Sequence, residues 1–169
     1  MKAIGALVLI CTGVGWGCVA RAALCRRLRA LQKTRDLVLW LAGQIRCTAA
    51  PIGELLCACA ERSEYSGWPI LTQTAAHVRA DGEFREAWRT AVCAQQNLLA
   101  FSAEERDVMS QAVCLLGTSD VAGELHHCEL YGEKLRVCVD CRTEELRVRG
   151  RLYVALGLCG GCAIALMLL

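Results

Sequence analysis

Residues 138–169 read "CVDCRTEELRVRGRLYVALGLCGGCAIALMLL", and two readings of that stretch lead to different folds. Cys138/Cys141 and Cys159/Cys162 are two C-x-x-C pairs with 17 residues between them, the spacing of a structural zinc site. The same stretch also reads as one uninterrupted helix. No proline occurs from 120 to 169, and a helix of that length is on the order of 75 Å long. On such a rod the two pairs stand roughly 30 Å apart, whereas zinc needs every sulfur about 2.3 Å from one ion. The helical reading therefore expects no metal site and an all-α fold.

The end of that helix is apolar. Leu152 to Leu169 carries no charge, and neither does Ala3 to Ala20, "AIGALVLICTGVGWGCVA". Eighteen helical residues span about 27 Å, close to the ~30 Å hydrocarbon core of a bilayer. The sequence thus predicts transmembrane helices at 1–20 and 152–169 around a helical domain at 21–151. The alternative for the first segment is a signal peptide ending in the small residues of "ARAA", with an exported, disulfide-bonded, membrane-anchored structural domain behind it.

Charge separates these readings. Arg21, Arg26, Arg27, Arg29, Lys33 and Arg35 follow the first segment with no acid among them, and Arg147, Arg149 and Arg151 precede the second. Basic flanks stay in the cytoplasm and suit anionic headgroups. Both belong to the middle region, which is therefore expected in the cytosol with both termini outside. Residues 36–146 hold nine basic and seventeen acidic side chains, a net of −8. That balance argues against nucleic-acid binding and leaves an acidic surface open to a basic partner. In a reducing cytosol most of the thirteen cysteines are expected to fill space as small apolar residues, with Cys93, Cys114 and Cys128 at such positions.

The middle region reads as a series of helices. Leu24, Leu28, Leu31, Val38, Leu41 and Ile45 form one stripe of helical spacing. Pro51 suits a helix start, and Ser66, Gly67 and Pro69 mark a turn. A short helix is expected over 70–78. Asp81 is placed to cap the next helix, which presents Phe84, Trp88 and Val92 on one side. Ser102 and Glu105 make an S-x-x-E capping box for a helix turning Val108, Ala112 and Leu115 inward. Gly117 falls where a left-handed residue ends a helix, and Ser119 or Asp120 can cap the last one. That helix carries the seam Val121, Leu125, Cys128, Leu135, Val139 and Leu146. The architecture expected is an antiparallel helical bundle held at both ends in one bilayer.

Chemistry-bearing motifs are sparse. His126, His127 and Cys128 are consecutive, so on a helix they point about 100° apart and do not converge; a surface role is expected for the histidines. His77 stands alone. There is no nucleophile elbow, Walker-type loop or H-E-x-x-H, so no catalytic residue, metal or cofactor is assigned. Each apolar segment holds a G-x-x-x-G, Gly13/Gly17 and Gly157/Gly161. Small residues one turn apart permit close helix packing, between the two segments or between copies in a homo-oligomer.

Several short motifs occur in an order that resembles one family. They are "PI" at 51–52, "DGEFREAW" at 81–88, "LGTSD" at 116–120 and the closing "YVALGLCGGCAIALMLL". Along essentially its whole length the chain resembles the stage III sporulation protein AB family of endospore-forming bacteria. It departs from the family in two places: Glu124 stands where a glutamine is frequent, and cysteine is unusually abundant. The resemblance implies a non-enzymatic membrane platform in the secretion-like channel complex linking mother cell and forespore. It implies the outer forespore membrane as location, with the domain on the mother-cell side and similar to F-type platform proteins of type II secretion. Partners implied are membrane lipids and other stage III assembly proteins including their ATPase, with no nucleic acid and no small-molecule substrate. Gly117, Asp120 and Glu124 are the residues it points to for interaction.

Overall fold

The computed structural model describes residues 2–48, 50–80 and 82–168, without the side chains of 2–11, 13, 14, 97, 98, 151, 153, 154, 156–158 and 160–168. Every regular element among the described residues is helical, so the chain is all-α as expected. The helices are α1 (Lys2–Cys47), α2 (Ile52–Ala60), α3 (Pro69–Arg79), α4 (Phe84–Leu99), α5 (Ala103–Cys114) and α6 (Val121–Leu168), with a 3-10 turn at Ser63–Tyr65. They belong to two compact units, one of Met1–Leu28 with Asp140–Leu169 and one of Arg29–Val139.

In the first unit the ends of α1 and α6 meet where Gly150 is buried; a Cβ there would lie 3.6 Å from Cγ of Arg21. Arg149 pairs with Glu145 at 2.7 Å, and Arg142 shares the same carboxylate side chain. Among the described residues no helix is long and apolar enough to cross a membrane. The two uncharged segments, 3–20 and 152–169, fall for the most part outside the described side chains, as do Gly13, Gly157 and Gly161; Gly17 is described and buried.

The second unit holds the core. From α1 come Leu28 at its border and Leu31, Leu37, Val38 and Leu41, the last four fully buried. The spacing predicts all of these but Leu37, and its outer members Leu24 and Ile45 are half-exposed. Trp88 of α4 is the largest fully buried side chain. Its ring meets Trp68 edge-on at 6.0 Å, and its indole N–H donates to the Met109 carbonyl of α5 at 2.9 Å. One residue thus fills volume and satisfies its own polar atom, the condition for burying an indole cheaply. The buried threonines solve the same problem locally: Thr34 and Thr74 donate to the carbonyls of Ala30 and Ile70 four residues back.

Helix ends follow their sequence signals with some displacement. Ser102 and Glu105 form the full capping box of α5, each side chain bonded to the other's backbone N–H. Pro69 belongs to the first turn of α3 rather than to the preceding turn. Asp81 lies outside the described residues, and Glu83 stands at the start of α4. Asp120, of the two candidates, caps α6: its Oδ1 accepts from Gly123 N at 3.1 Å.

The inward face of α5 is rotated from expectation, and that of α6 departs from it at its first turn. α5 buries Met109, Ala112 and Val113, while Leu115 is 47% exposed and Val108 half-buried. Leu115 is the C-cap of α5, so its side chain leaves the stripe where the helix stops. On α6 the seam holds for Cys128, Leu135 and Val139, but Val121 in the first turn is exposed.

His127 corrects the expectation of a surface histidine. Its ring lies 4.4 Å from that of Tyr131, and Tyr131 Oη donates to Gln111 of α5 at 2.6 Å. Burial lowers its pKa below the ordinary 6.5, against the backbone carbonyls of Ala112 and Gln111 and the Glu124 charge, which raise it; Lys134 lowers it further. A histidine that folds with a lowered pKa contributes stability above its unfolded value and loses it as pH falls. Melting of the full chain, followed by circular dichroism, is expected to drop as pH is lowered through and below about 6.5. His127→Gln should flatten that slope.

Candidate functional site

A helix that stops leaves its last carbonyls without partners. At the end of α5 the partner is one side chain from another helix. Arg85, in the first turn of α4, donates through Nε to Cys114 O and through Nη2 to Leu116 O, both at 3.0 Å. Its Nη1 donates to Glu83 at 3.2 Å, and its guanidinium lies 4.8 Å from the centre of the Phe84 ring. The Cys114 thiol returns a contact, donating to Arg85 O at 3.4 Å. A cation at the negative end of a helix is favourable by dipole as well as by hydrogen bond.

The chain then turns at Gly117, whose φ of +78° is left-handed. The conformation is the one the sequence suggests, although it falls two residues beyond the C-cap Leu115 instead of one. Thr118 Oγ1 donates to Leu115 O at 2.8 Å. Gly117 N donates to Glu124 Oε1 at 2.5 Å across the loop, and Glu124 is 7% exposed. Its own N–H donates to Asp120 O at 2.9 Å. Gly117, Asp120 and Glu124 therefore act together: Asp120 caps α6, and Glu124 on the first turn pins the glycine.

This arrangement gives position 124 a physical job, accepting one backbone N–H. A glutamine carbonyl could accept it as well, so the carboxylate is not required by the geometry. Sequence reasoning did not single out Arg85. Its position three residues before Trp88 put it near the buried face, but nothing local to 81–88 shows that its partners lie about thirty residues ahead.

Pro51, Ile52, Phe84, Arg85 and Gly117 line one depression of about 450 Å³. Three of the separated motifs, 51–52, 81–88 and 116–120, thus meet at one place. It lies at the end of the second unit where α1 finishes and α6 starts, away from Arg29 and Val139. Thr118, Ser119 and Asp120 stand exposed beside it.

A model of the stage III sporulation protein AB family matches residues 2–169. The chain belongs to that family. A role in sporulation follows from the membership. No curated protein and no solved structure matches the chain.

Of the four cysteines in the two C-x-x-C pairs, Cys162 lies outside the described side chains. Among the described residues no three His, Cys, Asp or Glu side chains come together as metal ligands, and no disulfide is formed. Cys59 and Cys128 are fully buried, and burial pushes both thiols up to about 11, which suppresses the reactive thiolate. Cys93, expected to fill space, is exposed instead.

Two substitutions separate the loop's parts. Gly117→Ala is expected to destabilise the chain by about 1–2 kcal/mol, because a Cβ is strained at this φ. Glu124→Ala should cost about 1.5–3 kcal/mol through loss of a charge-assisted bond, and Glu124→Gln less than half of that. Thermal unfolding of the full chain measures all three.

Proposed function

We propose that this protein is a non-enzymatic membrane platform of the mother cell–forespore channel complex, with two membrane spans and its helical middle domain in the mother-cell cytosol. In this reading the outer forespore membrane holds residues 1–20 and 152–169, and residues 21–151 dock the ATPase of the assembly. The observation that carries it is the convergence of three family-like motifs on one exposed end of the bundle. A fold needs a closed loop there, but it does not need Thr118, Ser119 and the Gly117 depression open to solvent. A surface that is built rigidly by buried polar bonds and then left open is suited to a protein partner.

Charge supports the two spans and their direction. Nine basic and no acidic side chains fall in 21–35 and 147–151 together, beside the uncharged segments. The exposed Trp16 and Val19, next to the first basic residue, fit an aromatic and apolar border at the lipid interface. The −8 balance of 36–146 fits a basic contact surface on the ATPase.

Two measurements test the proposal. A reporter inserted at the exposed Ser66 should behave as cytosolic; an exported reporter would overturn the topology and favour the anchored, disulfide-bonded alternative. Full-length protein in detergent should retain the assembly's ATPase in a pull-down. Leu115→Arg with Ser119→Arg should reduce retention at least tenfold, as should charge reversals across the acidic region. Undiminished binding by all of these variants would sink the docking role.

A further inference from the structure

The second unit carries a groove between α5 and α6, distinct from the depression at its end. It encloses about 540 Å³. Val108 and Val137 form its apolar part, Glu104 and Asp107 one edge, and Lys134 the other. Val137 is 53% exposed, a large apolar side chain with no cover from its own fold. Lys134 reaches back over the Tyr131 ring, 4.5 Å from its centre. Asp107 lies 3.9 Å from its own neighbour Arg106. Glu104 has no ion-pair partner among the described residues.

A second, partly open face lies on α1. Lys33, Asp36 and Leu39 share it, with Leu39 48% exposed and no ion pair for Lys33 or Asp36 among the described residues. This face cannot reach the groove of its own chain. α1 meets α6 at Gly132, where a Cβ would lie 3.6 Å from Leu39, and α5 meets α6 at Tyr131 through Gln111. Consecutive residues of a helix point about 100° apart, so α1 and α5 flank α6 on different sides.

The two faces nevertheless correspond in height. α1 and α5 both run antiparallel to α6: Leu39 is level with Gly132, Arg46 further along α1 reaches Glu129 earlier on α6, and Gln111 is level with Tyr131. Counting back along α1 from Leu39, at 1.5 Å per residue, places Lys33 level with Cys138 and Asp36 level with Leu135. Counting back along α5 from Gln111 places Glu104 level with Cys138. In two copies standing side by side at one height, Lys33 of the first is therefore level with Glu104 of the second, and Asp36 is level with Lys134. Leu39 comes level with the Tyr131 end of the groove.

We propose that the α1 face of one copy docks in the α5–α6 groove of a second copy, with Lys33 opposite Glu104 and Asp36 opposite Lys134. The proposal rests on the two-span reading, because anchoring in one bilayer is what holds copies parallel and at equal height. Every copy offers both faces, so the contact repeats head-to-tail from copy to copy. Rim charges of this kind set register and partner choice more than total affinity.

The test uses the full chain in proteoliposomes, with energy transfer between donor- and acceptor-labelled copies. Wild type should transfer. Lys33→Glu alone and Glu104→Lys alone should each lose at least half of the transfer. An equimolar mixture of the two variants should regain it, because each α1 face then meets a groove of opposite charge. This regain is peculiar to a contact that sets position 33 of one copy against position 104 of another. Circular dichroism should show equal helix content in all samples. Wild type without transfer, single variants that transfer like wild type, or a mixture that does not recover would each overturn the proposal. Protease access to the loop at Ser66, measured on the same vesicles, reports the topology separately. Correct topology without transfer would refute the contact alone, and scrambled topology would refute the reading beneath it.

Discussion

The end of α5 is the constraint around which the bundle closes. A helix ending against neighbours must give its last carbonyls a partner or leave them desolvated, which costs on the order of 1–3 kcal/mol per group. Arg85 bonds two of the backbone carbonyls at this end, those of Cys114 and Leu116. Because the arginine sits in the first turn of α4, this bond also fixes α4 against α5, where Trp88 adds its own bond to Met109 O. The loop that follows is thereby held at its start by Arg85 and at its middle by Glu124. Its exposed residues inherit a fixed shape without burying any of their own side chains.

That economy bears on the docking role proposed for this loop. A docking surface on a flexible loop must be ordered when the partner arrives, and the ordering subtracts from affinity. Here the ordering is done in the fold, by a buried carboxylate, a left-handed glycine and an aspartate cap. The motif "LGTSD" is short as a sequence, yet Leu116, Gly117, Thr118 and Asp120 all take part in the hydrogen bonds of one turn. The acidic balance of the middle region is then a property of the surface around a shaped site, and most of its ion pairs are exposed and individually weak.

The legible part of the fold was the part governed by periodicity. The α1 stripe, the α5 capping box and the break at 117–120 were all visible, because each depends on residues within one or two turns. The errors lie at helix ends, on α5 and at single positions of α4 and α6. Leu115 fits the inward spacing but stands at the C-cap, where the spacing no longer applies. Cys93 and Val121 have apolar character and appropriate period, yet no neighbouring element covers them. His127 shows the converse, a polar residue drawn inward because Tyr131 and Gln111 hold α5 against its flank.

The sequence by itself determined the all-α class, the family and the charge asymmetry beside two uncharged segments, since each is a property of composition, order or local spacing. It also argued against the C-terminal zinc site once the helix was recognised, because a straight rod cannot bring its two ends to one ion. Only the tertiary structure decided that 51–52, 81–88 and 116–120 line one depression, and that Arg85 ties the second of these to the third. The bonds from Arg85 to Cys114 and Leu116 cross about thirty residues of chain. No local rule encodes which carbonyl a guanidinium will meet at that distance; it follows from how α4 and α5 pack.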